Sequence, residues 1–138
     1  MKKIITGVLV LMLMATIVMA AGKSNHLDLV SKDSSNWEVI DGPVGKLNYD
    51  TDFVFNGHGL VANNEYTLIT YGGWNDIVCL GTETTNNGGN INIRGITPDL
   101  KTDDVNIPVK VWLVPSEAAD CEGNKMLQWT PDLFVFEE

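Results

Sequence analysis

The stretch FVFNGHGLVANNEYTLITY at positions 53–71 carries the pattern that decides the fold. It begins with alternation, because Phe53 and Phe55 would share one face of a strand. A connection rich in glycine and asparagine follows, and Tyr66 to Tyr71 is again rich in residues that favour strands. The stretch therefore predicts two short strands joined by a polar crossover.

The same strand character recurs on both sides of this stretch. Further short runs, bounded by turn-forming residues, are His26–Lys32, Trp37–Ile40, Lys46–Tyr49, Ile77–Leu80, Asn90–Arg94, Val109–Val114 and Leu133–Phe136. Val109 to Val114 is apolar on both faces apart from Lys110, which predicts a central strand. Only residues 116–120 favour a helical turn. About eight or nine short strands separated by turns predict an all-β fold, a single antiparallel β-sandwich.

The first twenty residues are of a different kind. Two lysines precede an apolar run from Ile4 to Val18, and Val18-Met19-Ala20 offers small or medium residues at the positions suited to cleavage. We therefore expect a signal peptide over 1–20 and one domain over 21–138. An uncleaved membrane anchor is the alternative for this run. No second apolar run follows, so no membrane span is expected in the mature chain.

The net charge of the chain is also consistent with an exported protein. The 138 residues carry 9 basic and 18 acidic side chains, a net charge of −9. Removal of residues 1–20 takes away two lysines and leaves −11. Such a surface repels nucleic acid and anionic lipid. We expect a secreted protein, extracellular or at the cell surface, that has no nucleic-acid partner.

The two cysteines, Cys79 and Cys121, fit an oxidising compartment, where an even number favours a disulfide. No C-x-x-C motif is present, so neither a zinc ribbon nor a thioredoxin-type site is indicated. A bridge between them would close a loop of about 43 residues and contribute ~4 kcal/mol in the chain-entropy model. Two buried free thiols are the alternative.

One local motif is more specific. Leu60 is followed six residues later by Tyr66, which opens the next run. A leucine, a short crossover and a tyrosine resemble the tyrosine corner of immunoglobulin-like and fibronectin type III sandwiches. The resemblance implies that Leu60 closes one end of the core and that the Tyr66 hydroxyl bonds to backbone upstream. Leu68 stands where an immunoglobulin domain has cysteine, so the Cys79–Cys121 pair is not the usual inter-sheet bridge. The general composition is also similar to that of small secreted prokaryotic proteins.

The residues that carry catalysis in other proteins are scarce. His26 and His58 are the only histidines, and no serine lies in a G-x-S-x-G motif. Cys121 and Met126 have no histidine nearby, so a copper site of the cupredoxin kind is not indicated. We therefore expect no enzyme, and an extracellular hydrolase is the least favoured of three functions.

Acidic loops leave calcium open as a ligand. The candidate ligands are Asp50, Asp52, Asp99, Asp103 and Asp104. Calcium binds six to eight oxygens that often come from such loops. No D-x-D-x-D-G motif is present, and solvated loop acids are the favoured interpretation of these residues. No other cofactor is expected.

The chain has four tryptophans, of which Trp74 is the candidate for ligand contact. It lies in a turn-like loop beside Asn75 and Asp76, and an aromatic ring there could stack on a sugar or anchor an interface. The alternative is a loop aromatic that folds onto the core.

These features favour a secreted, non-catalytic binding or surface-associated module. Its partner would be an extracellular protein or a carbohydrate. The alternative function is a structural subunit of a surface layer or filament. In that case the terminal runs, Leu27–Lys32 and Leu133–Phe136, would be edge strands that pair with neighbouring copies.

Overall fold

A computed structural model describes residues 25–96 and 110–137 of the chain. The signal segment expected over residues 1–20 lies outside this range. The described residues form ten antiparallel strands: β1 (Asn25–Val30), β2 (Gly45–Tyr49), β3 (Asp52–Gly57), β4 (Glu65–Gly73), β5 (Asp76–Thr84), β6 (Ile91–Ile96), β7 (Lys110–Pro115), β8 (Ala119–Asp120), β9 (Lys125–Met126) and β10 (Val135–Glu137). Two single turns of 3₁₀ helix, Ser116–Ala118 and Pro131–Leu133, complete the secondary structure. The all-β prediction is confirmed.

Eight strands form one continuous sheet in the order β5-β4-β7-β10-β1-β2-β3-β6, while β8 and β9 form a separate hairpin. The large sheet curls until its two end strands meet, which makes it nearly barrel-shaped. A Cβ atom on Gly81 of β5 would lie 2.6 Å from Ile93 Cγ2 of β6, so a glycine is needed at this close approach. A register shift between β4 and β5 beside Leu68 adds to the curl, because a bulge bends its strand.

Side chains alternate between the two faces of the sheet. Val111 and Leu113 of β7 point to the inside, where they join an inner cluster with Leu47, Phe55 and Leu68. The residues that alternate with them, Trp112 and Val114, join an outer cluster on the other face. Because β7 pairs with both β4 and β10, it is the central strand that its two apolar faces predict.

The hairpin of β8 and β9 covers the outer cluster and is held to the sheet at several points. Cys79 of β5 and Cys121 form the predicted disulfide, with their Cα atoms 5.6 Å apart. The Met126 N–H donates to Trp74 O at 2.8 Å, and Met126 is buried beneath the hairpin. The bridge therefore fastens a segment with little strand pattern onto the sheet.

Tyr66 makes a local contact with the backbone of the connection that precedes it. Tyr66 is buried, and its hydroxyl accepts a hydrogen bond from the Val61 N–H at 3.3 Å. Leu60 is half-buried and packs against the inner cluster, so it covers the core without being enclosed by it.

Two expectations are wrong. The run Trp37–Ile40 forms no strand and contributes only one isolated bridge, between Lys32 and Val39, because Trp37 has a left-handed backbone that breaks the extended conformation. The runs Leu27–Lys32 and Leu133–Phe136 do not lie at edges. Strands β1 and β10 pair with each other at Leu29 and Val30 and also with β2 and β7, so both lie inside the sheet rather than at its ends.

Candidate functional site

Six aromatic residues form a connected group on the outer face of the sheet, which we call the aromatic platform. Its members are Trp37, Tyr71, Trp112, Trp129, Phe134 and Phe136. Trp112 is at the centre. Its ring stacks on Tyr71 at 3.8 Å and 15°, and it meets Phe136 edge-on at 5.0 Å between centroids. Stacked and edge-on contacts between aromatic rings are favourable, so these contacts stabilise the platform.

Strand register assembles the base of the platform. Trp112 of β7 is opposite Ile69 of β4 and Phe136 of β10. Tyr71 lies two residues beyond Ile69, so it shares the outer face with Trp112. The same alternation that sends Val111 inward therefore sends three aromatic rings outward on three neighbouring strands.

Trp37 reaches the platform from a tight loop after β1. The Asp33 N–H donates to Glu38 O at 2.9 Å, and the Trp37 N–H donates to Asp33 O at 2.8 Å. Hydrogen bonds from Ser35 hold the pKa of the Asp33 carboxyl below its usual value, so this carboxylate stays ionised in the turn. Trp37 has φ +61°, a conformation that bulky side chains rarely adopt.

The aromatic rings differ in their exposure to solvent, so the platform has a buried base and a half-exposed rim. Trp112 is only 7% exposed, whereas Trp37 is 49% and Trp129 is 40% exposed. Their centroids are 5.7 Å apart, and both rings also contact Phe136. Two indoles held above a buried aromatic base form the part of the platform that a ligand can reach.

Charged side chains surround a small cavity at one side of the platform. The cavity, of about 160 Å³, is lined by Lys32, Trp37, Lys110, Trp112, Phe136 and Glu137. Burial raises the pKa of the Glu137 carboxyl, although a hydrogen bond from the Val111 N–H at 2.8 Å and the nearby Lys110 and Lys32 act in the opposite direction. The cavity thus combines aromatic walls with two cationic donors and one carboxylate.

The residues predicted from sequence as ligand contacts lie elsewhere. Trp74 is 43% exposed at the turn between β4 and β5, with Asn75 and Asp76 exposed beside it. Within residues 25–96 and 110–137, the Trp74 ring stacks on no other aromatic ring. The structure does not bring these three residues into the platform.

The candidate calcium ligands divide into two groups. Asp50 and Asp52 are exposed at the turn between β2 and β3, where the Asp50 N–H donates to Asp52 O at 3.0 Å. Asp99, Asp103 and Asp104 lie outside the described residues. In the described part of the chain, no three His, Cys, Asp or Glu side chains lie close enough together to hold a metal ion.

Sequence reasoning did not identify Trp37, Trp129 or Glu137 as site residues. The unusual number of tryptophans was a signal, but Trp129 lies in a segment without strand pattern and Trp37 in a misassigned one. Their position depends on a turn conformation and on pairing between distant strands.

Comparison with known proteins adds no relative. No known protein family, no curated protein and no solved structure matches the chain. Across residues 25–96 and 110–137, no helix is both long and apolar enough to cross a membrane.

Proposed function

We propose that this protein is an extracellular, non-catalytic binding module and that its aromatic platform binds a carbohydrate. The observation that carries the proposal is the pair of half-exposed indoles, Trp37 and Trp129, held over the buried rings of Trp112 and Phe136. Aromatic residues that serve only the core are normally covered, whereas exposed ones anchored on a rigid base are typical of binding surfaces.

The rings suit the apolar face of a sugar. The face of an aromatic ring carries partial negative charge, and the C–H bonds on one side of a pyranose carry slight positive charge. Trp37 and Trp129 meet at an interplanar angle of 53°, so they are tilted walls rather than a flat surface. Such walls can hold a ring between them.

The charged groups beside the rings suit sugar hydroxyls. Lys32 and Lys110 are donors without acceptor capacity, and Glu137 is an acceptor when ionised. A hydroxyl group donates and accepts at once, so neighbouring hydroxyls could bond to both kinds of side chain. Ligand sites commonly combine such a small number of polar groups with an apolar lining.

The size of the cavity favours one sugar ring over a protein partner. Its volume of about 160 Å³ is below the ~300–1,000 Å³ of sites for drug-sized ligands. A stable protein interface buries at least about 1,000 Å² in total. A short chain of sugars needs only one unit in the cavity and can lie along Trp37 and Trp129 with the others.

Backbone strain at Trp37 supports a role beyond packing. A left-handed backbone at a bulky residue costs on the order of 1–3 kcal/mol and clusters at ligand sites. The loop from Asp33 to Glu38 holds Trp37 in this conformation, and the Trp37 indole is half-exposed as a result.

Export and the finer fold assignment belong to the same proposal. The apolar N-terminal run and the disulfide support a secreted protein, located outside the cell or at its surface. The Tyr66–Val61 contact supports a distant likeness to the immunoglobulin-like sandwich, in which the curled sheet would be a variant of two layers.

Affinity electrophoresis in native gels tests the carbohydrate proposal, and the net charge of −11 expected after removal of residues 1–20 gives the protein good mobility there. Gels would contain xyloglucan, a β-1,3-glucan, galactomannan or pectin. We expect at least one polysaccharide to retard the protein. Trp37→Ala and Trp129→Ala should each weaken that retardation at least tenfold in apparent affinity.

Trp74→Ala is the matched control, because Trp74 is equally exposed but lies outside the platform. It should be retarded like the original protein. Trp37→Gly suits the left-handed backbone and therefore separates lost binding from lost folding. Absence of retardation in every gel, or equal losses in Trp74→Ala and Trp37→Gly, would contradict the proposal.

A further inference from the structure

A second cleft lies away from the platform, on the outer face of β1, β2 and β3. Its volume is about 300 Å³, at the lower limit for small-molecule sites, and it is lined by Asp28, Pro43, Gly45, Lys46, Asn56 and His58. Asp28 is opposite Lys46, and Lys46 is opposite Asn56 in the strand register. Three polar side chains therefore stand in one row across three strands, on one face of the sheet.

One carboxylate oxygen of Asp28 has no hydrogen-bond partner among the described residues. Its Oδ1 atom is shielded from solvent and meets no hydrogen-bond donor within residues 25–96 and 110–137. In the same part of the chain the one ion pair joins Lys125 to Asp120, so Asp28 and Lys46 are neighbours that do not pair. A buried acceptor without a donor costs about 1–3 kcal/mol. Because a carboxylate rotates easily about its last torsion, a donor in the cleft could reach either oxygen.

The imidazole ring of His58 is held at the same cleft by the backbone of Val44. Its Nδ1 atom is 2.7 Å from Val44 O, and its backbone N–H also donates to Val44 O, at 2.8 Å. A carbonyl oxygen can only accept, so Nδ1 carries the proton. This leaves Nε2 as the ring nitrogen that is not bonded to Val44, and both His58 and Asp28 line the cleft.

Lys46 and Asn56 supply hydrogen-bond donors at the cleft. The amide oxygen of Asn56 accepts a hydrogen bond from the Asn92 amide, which leaves the Asn56 Nδ2 group as a donor. The Lys46 ammonium has three N–H donors and lies between Asp28 and Asn56 in the row. One end of the cleft therefore accepts and carries negative charge, and the other donates and carries positive charge.

We infer that this cleft binds a free α-amino acid. Its ammonium group would bond to Asp28 and to His58 Nε2, and its carboxylate to Lys46 and Asn56 Nδ2. The ammonium and carboxylate groups of an α-amino acid are attached to the same carbon atom and are therefore close together. Asp28 and Lys46 are cross-strand neighbours, so their side chains are also close enough to contact both groups. Pro43 offers an apolar contact for the ligand side chain. This site is independent of the carbohydrate proposal.

Titration followed by NMR tests the inference, with the His58 ring and the Asn56 side-chain amide as reporters. Three probes share a small carbon skeleton: L-alanine carries both charges, propionate only the carboxylate, and ethylamine only the ammonium. We expect L-alanine to give saturable shifts at both reporters and to bind at least tenfold more tightly than either other probe. Asp28→Asn should weaken L-alanine at least tenfold and leave propionate unchanged, whereas Lys46→Gln should weaken both.

Asn48→Ala is the control, because Asn48 lies on the same face of β2 as Lys46 but does not line the cleft. It should bind L-alanine like the original protein. No saturable shift with L-alanine, or equal affinity for L-alanine and propionate, would overturn the inference, and so would an equal loss in Asn48→Ala. The comparison of the three probes uses the unmodified protein, so the test stands even where a variant fails to fold.

Discussion

Tyr66 illustrates what a single hydrogen bond contributes at the corner between β3 and β4. Its ring is buried in the inner cluster, and its hydroxyl accepts from the Val61 N–H. Tyr66→Phe keeps the ring and leaves that N–H without its partner, so we expect a loss of about 1 kcal/mol in the free energy of unfolding. Urea unfolding measures it. Tyr49→Phe is the control, because the Tyr49 hydroxyl makes no hydrogen bond within the described residues. Unchanged stability in Tyr66→Phe would remove the structural role of the corner.

Glu137 gives the protein a measurable pH dependence. Burial raises the pKa of its carboxyl above the ordinary value of 4.5, so the folded state holds the proton more tightly than the unfolded state. Stability from this group is full below pH 4.5 and is lost as pH rises through the folded-state pKa. Glu137→Gln mimics the protonated form. It should match the original protein at acidic pH and become more stable than it at neutral pH.

The measurement is the difference in free energy of unfolding between Glu137→Gln and the original protein, from pH 3.5 to 8. Other titrating groups are common to both proteins and cancel in the difference. A difference that does not change with pH would show that the Glu137 pKa is not raised.

Residue-level prediction from the sequence succeeded where the cause is local. The resemblance of the Leu60–Tyr66 segment to a tyrosine corner implied the hydroxyl contact, and a lone pair of cysteines was enough to predict the bridge. Glu137 could not be found this way. Its raised pKa depends on burial beside Trp112 and Lys110, which come from a strand distant in sequence.

At the scale of elements, the closure of the sheet depends on how closely β5 approaches β6. A Cβ atom on Gly81 would meet Ile93 Cγ2 at 2.6 Å, well inside the usual contact distance. Gly81→Ala should therefore destabilise the protein by roughly 1–3 kcal/mol through overpacking. Gly73→Ala is the control, since nothing lies within 4 Å of a Cβ there. Thermal unfolding compares them, and equal melting temperatures would mean that the end strands are not in tight contact.

The disulfide stabilises the fold by restricting the unfolded chain. Its cysteines are 42 positions apart, which corresponds to ~4 kcal/mol in the chain-entropy model. That is a large share of the ~5–15 kcal/mol typical of whole domains. Reduction, or the double variant Cys79→Ala with Cys121→Ala, should lower the melting temperature markedly. Alkylation without reductant followed by mass spectrometry is the direct check, and two modified thiols would refute the bridge.

The pattern of short runs located eight of the nine predicted strands, because a strand with one buried face imposes a period of two on its sequence and a strand buried on both faces is apolar throughout. It failed at Trp37–Ile40, where the pattern is short and a left-handed residue begins it. It also could not show which strands are neighbours. The terminal strands were expected at edges, yet β1 and β10 lie beside each other inside the sheet, a pairing between the two ends of the chain.

At the scale of the whole molecule, the sequence predicts a class of fold but not its closure. A sandwich and a barrel use the same alternation, since each strand has one face toward a shared core. The difference lies in whether strands such as β10 and β1 are bonded, which joins the strands into one sheet. The aromatic platform depends on the same strand order, because the pairing of β7 with β10 places Trp112 beside Phe136 and the pairing of β10 with β1 brings Trp37 over them.

Export is the prediction that concerns the chain as a whole. A short basic start, an apolar run and the sequence Ala20-Ala21-Gly22 after it are typical of a signal peptide. A disulfide and a carbohydrate ligand both suit the exterior of the cell, where thiols oxidise. We therefore expect cleavage near Ala20 when the full chain is expressed with its N-terminal segment. N-terminal sequencing of the protein recovered from the medium checks this. An intact Met1 on a membrane-bound product would show instead that the apolar run is retained as an anchor, and the platform would then act at the membrane surface.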